Sequence, residues 1–301
     1  MAAGPAVAEH WKGLAPLTNA SGEPGLDFEI LPGVTIREAT AGEQTGMNSL
    51  PRIPEMDQAF VPALRPVWVL ATIRPITMLG QARNVLPIFQ DFQLAAACLR
   101  AYRPEMVAFP YVAVGAPDFG VPSAVPGFNA LFPPGTAWVR AISKPYVLAK
   151  DDVVPLVALA GRIRDELMRD PEGSLSIALS RLEFIQQRWL DQDRIIDAEI
   201  AMEALLGEGL DGELSYRQAL RGSWLVGRGP EERALLFDEF KAAYGRRSKL
   251  VHGDKEKKQV PSADRIAELA HLVVRRFVET AAGRSVADVV EALDLAALRG
   301  K

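Results

Sequence analysis

Proline is spread unevenly along this chain, and its positions limit where long helices can form. Fourteen prolines fall between Pro51 and Pro145, and a proline inside a helix removes a hydrogen bond and clashes with the preceding turn. Runs rich in Val, Ile and aromatic residues lie among them, at 28–38, 67–74, 107–114 and 138–147. Such runs, bounded by Gly or Pro, are typical of strands. We therefore expect residues 1–150 to form a mainly β domain, with one helix over 88–102.

From about residue 151 the spacing of apolar residues changes to the three-and-four pattern of amphipathic helices. Helices are predicted over 153–168, from Ser174 to near Gly207, over 212–226, from Pro230 to His252, around 266–277 and from Ser285. Their shared core is expected to contain Leu182, Trp189, Ile200, Leu220, Trp224, Phe240 and Phe277. Amphipathic helices with short connections favour an antiparallel bundle. The predicted fold class is therefore α+β, with a mainly β domain over 1–150 and a helical domain over 151–301.

The helix from Pro230 to His252 carries an arginine where an apolar residue is expected. Leu236, Phe240 and Ala243 recur at spacings of four and three, and the same stripe continues to Arg247. A buried guanidinium must be paired or must serve a ligand, because desolvating an unpaired charge is costly. His252 lies on the last turn, before a glycine that suits a helix end.

Structural alternatives exist for these charged residues. Arg247 could pair with a carboxylate such as Asp197 or Glu203, and His252 could simply cap a helix end. Arg217 and Arg221 lie four residues apart on the preceding helix, so they repel each other unless an anion lies between them. Glu213, four residues before Arg217, offers an ion pair instead.

The net charge of −4 does not suggest a nucleic-acid-binding protein, but its distribution is uneven. Between Lys241 and Lys258 there are seven Lys or Arg residues against two acidic ones. A basic patch of this kind attracts phosphate. The alternative is that these charged residues belong to a solvent-exposed loop and only keep it soluble.

The stretch from Tyr244 to Gly253 reads Tyr-Gly-Arg-Arg-Ser-Lys-Leu-Val-His-Gly. With Glu213-Leu-Ser-Tyr-Arg and Arg221 on the preceding helix, it resembles the HEPN superfamily, and within it the ApeA-like HEPN domain of bacterial proteins. The resemblance covers about residues 174–300. It implies an antiparallel four-helix bundle and a metal-independent endoribonuclease, a hydrolase used in antiviral defence or as a toxin.

The resemblance also implies the site residues and the assembly. Arg247 and His252 would be catalytic, in a homodimer that brings two motifs to one RNA phosphate. Ser248 follows the arginine, where many active members carry Asn, Asp or His, although serine is usual in the ApeA-like branch. The alternative is a catalytically silent dimer that binds RNA, a nucleotide or a protein. The further residues expected to contact RNA are Arg246, Ser248, Lys249, Arg217 and Arg221.

Other classes of function find little support in the sequence. The single cysteine, Cys98, excludes an internal disulfide and fits a reducing cytoplasm. No run approaches the roughly 20 apolar residues that span a bilayer, and the N-terminus lacks signal-peptide features. We expect a cytoplasmic protein without metal or cofactor, because neither metal-ligand spacing nor a phosphate loop is present. Residues 1–150 are expected to be a recognition or sensor domain for an unidentified ligand or protein.

Overall fold

The computed structural model describes residues 9–17, 19–48, 68–76, 78–79, 82–107, 109, 112–115, 129–131, 144–209, 212–253 and 260–300. The chain forms two compact units. The first contains Met1–Ala96 and Glu105–Val157, and the second contains Ala97–Pro104 and Ala158–Lys301. The fold is α+β, since an antiparallel sheet comes first and a series of helices follows.

The first unit is built on an antiparallel sheet with the strand order β3-β4-β5-β1-β8-β9 among the described residues. Its elements are β1 (Glu9–Pro16), β2 (Ala20–Gly22), β3 (Asp27–Leu31), β4 (Val34–Glu38), α1 (Ala41–Asn48), β5 (Trp68–Ile76), β6 (Met78–Leu79), β7 (Ala82–Arg83), α2 (Leu86–Tyr102, which ends in the second unit), β8 (Val112–Gly115), β9 (Asn129–Leu131) and β10 (Tyr146–Leu148). Strands β2 and β10 form a separate parallel pair, and β6 and β7 form a short antiparallel one.

Strand β1 lies inside the sheet, between β5 and β8, although the sequence did not predict it. Gly13 explains why β1 packs closely against a helix and why its sequence does not look like a strand. A Cβ at Gly13 would come within 2.3 Å of Ile88 and 3.2 Å of Phe92, two residues of α2. Glycine at this position lets the strand approach the helix closely. The strand also lacks the β-branched side chains by which strands are recognised in a sequence.

The predicted strand over 67–74 and the predicted helix over 88–102 are confirmed by β5 and α2. The predicted run 28–38 is a hairpin, because the chain turns at Gly33, whose φ is 77°. In the run 107–114 the described strand begins at Val112, and residues 108, 110 and 111 lie outside the described residues. In the run 138–147 the described strand begins at Tyr146, and residues 138–143 lie outside the described residues.

The described part of the second unit is helical and has no strand between residues 174 and 282, as predicted. Its helices are α3 (Lys150–Arg169, which begins in the first unit), α4 (Ser174–Gln187), α5 (Asp191–Leu206), α6 (Leu214–Val226), α7 (Pro230–His252), α8 (Ala263–Ala281) and α9 (Val286–Arg299). Helix α5 is central, because α4, α6, α7 and α8 all pack against it.

The long helix predicted from Ser174 to Gly207 is wrong. The chain leaves the helix at Arg188, whose ψ is 134°, and a new helix begins after Leu190. Trp189, predicted in the core, lies in this break and is 62% exposed. Apolar spacing continues through the break, so periodicity alone does not reveal it.

The remaining predicted core residues divide into two groups. Leu182, Phe240 and Phe277 are buried, as predicted. Ile200, Leu220 and Trp224 are only partly buried, so their assignment to the core interior is wrong. Helix α8 buries its predicted stripe of Ile266, Leu269, Ala270, Val273 and Phe277.

Candidate functional site

Helix α7 has the limits that its sequence predicts. Pro230 occupies the first turn, where its missing N–H is not needed, and Glu231 and Glu232 complement the positive end of the dipole. Gly253 ends the helix in the left-handed conformation, with φ 73°. Its N–H points back to the carbonyl oxygen of Leu250, 3.4 Å away. The motif residues therefore lie on the last two turns of a well-defined helix.

Helix α6 holds α7 in place by close packing. A Cβ at Gly222 would lie 2.9 Å from the Phe240 ring, so only glycine permits this approach. The rings of Tyr216 and Phe237 meet edge to face, 5.4 Å apart. These contacts fix the direction of α7, and with it the placement of the motif.

Arg247 continues the buried stripe of Leu236, Phe240 and Ala243, as the spacing predicts. Its side chain is half-buried, and its Nε atom is buried without a hydrogen-bond partner in the part of the chain that the structure describes. Among the described residues, no hydrogen bond or ion pair to its guanidinium is found. Arg247 is thus a partly buried cation that has no ion-pair partner among the described residues.

The carboxylates suggested as structural partners of Arg247 do not pair with it. Asp197 accepts from Arg181 Nη1 at 2.8 Å and from Arg188 Nε at 2.9 Å. Glu203 makes no ion pair with Arg247 in the described part of the chain. The structural alternative, an ion pair between Arg247 and Asp197 or Glu203, is therefore not found among the described residues.

A buried glutamate of α5 was missed by the sequence reasoning. Glu199 of α5 is 1% exposed, and its Oε2 accepts from Gln218 Nε2 of α6 at 3.0 Å. Its Oε1 has no hydrogen-bond partner among the residues that the structure describes. Burial raises the pKa of Glu199 to about 7, while the hydrogen bond from Gln218 and the attraction of Arg247 act in the opposite direction. The sequence signal was a carboxylate in the stripe of Ile195 and Met202, at spacings of four and three.

His252 is exposed at the end of α7 and does not share the face of Arg247. His252 is five residues after Arg247, so the two side chains point about 140° apart around the helix axis. Ser248, four residues before His252, lies on its side of the helix, and Lys249 is next to it; both are half-buried. One copy of α7 therefore presents Arg247 and His252 in different directions.

The basic residues predicted to contact RNA have different placements. Arg217 is exposed and makes no side-chain hydrogen bond or ion pair among the described residues, so the expected pair with Glu213 is not found. Arg246 donates from Nη1 to the carbonyl oxygen of Pro261 at 2.6 Å, which ties α7 to the start of α8.

Arg221 is 3% exposed and makes four hydrogen bonds to protein groups. Its Nε and Nη2 donate to both oxygens of Asp294, at 2.9 and 2.7 Å, and its Nη1 donates to two carbonyl oxygens at the end of α5. This placement does not fit the expected contact with RNA, because the charge is already neutralised inside the protein.

Three further findings concern the described residues. No group of three or more His, Cys, Asp or Glu side chains is placed to hold a metal ion. None of the described helices combines the length and apolar character needed to cross a bilayer. No protein-family model, curated protein or solved structure matches the chain, so the resemblance to the HEPN superfamily stays a prediction.

Proposed function

We propose that the chain is a metal-independent endoribonuclease of HEPN type, acting in bacterial defence or as a toxin. Its second unit would be the four-helix domain of that family. The observation that carries the proposal is Arg247, a half-buried arginine whose donors have no hydrogen-bond partner among the described residues. It stands on the same helix end as the exposed His252. A cation and a proton carrier are what cleavage of a phosphodiester needs.

The chemistry uses the ribose 2′-OH as the nucleophile. A base removes the proton of this hydroxyl, its oxygen attacks the adjacent phosphorus, and an acid protonates the departing 5′-oxygen. The products are a 2′,3′-cyclic phosphate and a 5′-hydroxyl. Arg247 stabilises the additional negative charge on the phosphorane, for which the planar guanidinium is well suited.

The proposed active unit is a two-fold dimer. One histidine cannot serve as base and acid at opposite sides of the phosphorus, and one copy of α7 turns Arg247 and His252 about 140° apart. A second copy supplies the second histidine and places an arginine from one copy near a histidine from the other. Ser248, Lys249 and the exposed Arg217 would then line the approach of the RNA backbone.

The test is cleavage of RNA by the full chain in the presence of EDTA. We expect products with cyclic phosphate and 5′-hydroxyl ends, and intact DNA of the same sequence, because DNA lacks the internal nucleophile. His252→Ala should abolish cleavage, and Arg247→Lys should be nearly as damaging because the planar fork is lost. His10→Ala is the matched control, since His10 is exposed on β1 in the first unit.

The outcomes separate the enzyme from the binding module. Toxicity on expression in bacteria that disappears with His252→Ala would support the ribonuclease. Cleavage that needs magnesium, or that survives His252→Ala, would refute the mechanism. RNA that is bound but left intact would favour the silent dimer, since Ser248 donates a hydrogen bond but does not ionise.

A further inference from the structure

Helix α2 begins in one compact unit and ends in the other. Its last turn belongs to the segment Ala97–Pro104 of the second unit, and its earlier turns belong to the first. In the first unit the fully buried Ile88 lies against β1, where a Cβ added at Gly13 would come within 2.3 Å of it. Arg74 Nε of β5 also donates to Asp91 of α2 at 2.6 Å. The sheet therefore holds the start of α2 by close packing and by an ion pair.

The end of α2 is held by side chains of α8. The last carbonyl groups of a helix have no partner within that helix. Arg275 Nη1 donates to the carbonyl oxygen of Tyr102 at 2.9 Å, and its Cζ lies 4.7 Å from the centre of the Tyr102 ring. His271, one turn earlier on α8 and 5% exposed, is hydrogen-bonded to the backbone of Arg100 and Arg103. Two side chains of α8 therefore cap the C-terminus of α2.

A further contact joins the end of α2 to α4. Arg100 is 6% exposed, and its Nη1 donates to Glu183 Oε2 at 3.0 Å. The other oxygen of this carboxylate accepts from Gln187 Nε2 at 2.7 Å. Separating a buried ion pair is costly, because each charge is left without its partner. The end of α2 would therefore lose several buried polar contacts if it left the second unit.

Helix α8 also contacts the helix that carries the motif. Arg265, in the first turn of α8, forms an ion pair with Glu239 of α7, with Nη2 and Oε2 2.7 Å apart. Just before α8, the carbonyl oxygen of Pro261 accepts from Arg246 Nη1 at 2.6 Å. Arg246 is the neighbour of Arg247 in the chain. One helix thus holds the end of α2 with its middle turns and α7 with its first turn.

We propose that α2 couples the first unit to the motif of α7, with α8 as the intermediate. Coupling between distant sites is carried by stiff elements and by connected polar contacts. Helix α2 has 17 residues, and hydrogen bonds join its successive turns, so a displacement of its first turns is carried to its last. The caps on α8 must then break, or α8 must move relative to α7. The inference adds regulation to the proposed ribonuclease site, and only its last step rests on that function.

The principal variant is Arg275→Met, which removes the donor to Tyr102 and keeps most of the apolar stem. Amide hydrogen exchange of the full chain should become about fivefold faster over 97–102, the ratio that corresponds to the loss of one hydrogen bond. The same acceleration should extend to 92–96 in the first unit, because α2 opens as one piece. Acceleration that is confined to 97–102 would overturn the proposal.

The matched control is Arg276→Met, the same substitution at the next residue of α8. Both arginines donate to Glu279, but Arg276 makes no hydrogen bond to α2 within the described ranges. Exchange of α2 should therefore be unchanged in the control. An equal acceleration in the two variants would assign the effect to Glu279 and would contradict the role of α2.

Ile88→Val tests the coupling in the opposite direction, because coupling between two sites is reciprocal. It trims the contact with β1, and exchange over 97–102 should become about 2- to 10-fold faster, the range that follows from the cost of such trimming. Val69→Ala is the control, since Val69 packs with Leu14 and Met47 in a cluster whose described members include none from α2. It should accelerate exchange in the first unit alone. Equal acceleration over 97–102 in both variants would mean that the units are coupled without α2.

Cleavage of RNA separates this inference from the proposed function. Arg275→Met should change kcat by at least about fivefold, the lower end of the usual range for coupled sites, and Arg276→Met should not. Coupled exchange in a protein that cuts no RNA would support the role of α2 and refute the ribonuclease. Cleavage by a protein in which the two ends of α2 exchange independently would support the ribonuclease and overturn the coupling. Coupled exchange with an unchanged kcat would overturn the last step, from α8 to the motif.

Discussion

Replacing Arg221 with methionine distinguishes a structural arginine from an RNA-binding one. Arg221 joins α6 to α9 through both oxygens of Asp294, and joins α6 to the end of α5 through the carbonyl oxygens of Leu206 and Glu208. The methionine retains most of the apolar stem and loses all four hydrogen bonds. The two carbonyl groups and the carboxylate are left without their donor.

The size of the effect follows from burial of the pair. Removing one partner of a buried ion pair costs about 3–5 kcal/mol, because the remaining charge is uncompensated. The side chain of Asp294 is 36% exposed and regains part of its hydration, so the lower end of this range applies. We expect the free energy of unfolding to fall by about 3 kcal/mol, which corresponds to a Tm lower by about 6–12 °C in a unit of this size.

The assay is urea unfolding followed by circular dichroism at 222 nm, with RNA binding measured by fluorescence anisotropy at a temperature where both variants are folded. Arg217→Met is the control, because Arg217 is exposed one turn earlier on the same helix. It should change stability by less than about 0.5 kcal/mol and weaken RNA binding. A folded Arg221→Met protein with parental stability, or with RNA binding weakened as in Arg217→Met, would refute the structural role.

Three further predictions concern packing and pH. Glu43→Gln should lower the free energy of unfolding by about 3 kcal/mol at pH 7. Burial alone would raise the pKa of Glu43, but the hydrogen bonds from Arg37 and Lys12 outweigh it and lower the pKa to about 2, so the ionised carboxylate stabilises the fold above its ordinary pKa of 4.5. Urea titrations should show this contribution lost as the pH falls from about 4.5 to about 2 in the parent, but not in the variant. Desolvation lowers the pKa of the buried His271 to about 4, so this residue favours unfolding as the pH falls from 6.5 to about 4. His271→Leu should remove that part of the acid sensitivity. An unchanged slope of the free energy of unfolding against pH would contradict the prediction. Gly222→Ala should destabilise by about 1–3 kcal/mol in thermal melts through its clash with Phe240. Gly245→Ala should instead stabilise by about 0.5–1 kcal/mol, because an added Cβ there meets no atom of the described residues within 4 Å.

The limits of α7 could be predicted because they depend on local chemistry. Pro230 fits only the first turn of a helix, and Gly253 adopts a left-handed conformation that other residues avoid. The stripe that places Arg247 toward the interior follows from spacing alone. The sequence does not show which side chains of other helices face that arginine, because this depends on how α5 and α6 pack.

The break between α4 and α5 shows where periodicity fails. Apolar residues continue at helical spacing through Trp189, so the pattern favours one long helix. Asp191 and Asp193 provided the missing signal, since acidic residues in the first turn are typical of a helix start. Glu199 was missed for a related reason. Its significance depends on burial, and a carboxylate in an apolar stripe is visible in the sequence only once the helix limits are known.

The rotation between Arg247 and His252 along α7 gives the proposed reaction a second-order dependence on protein concentration. A site assembled from two copies forms only when they meet, so below the dissociation constant of the dimer the cleavage rate varies with the square of concentration. Doubling the amount of protein would then raise activity about fourfold. A defective copy would inactivate a normal one by pairing with it. Helix geometry alone would thus keep scarce protein silent and make inactive variants dominant.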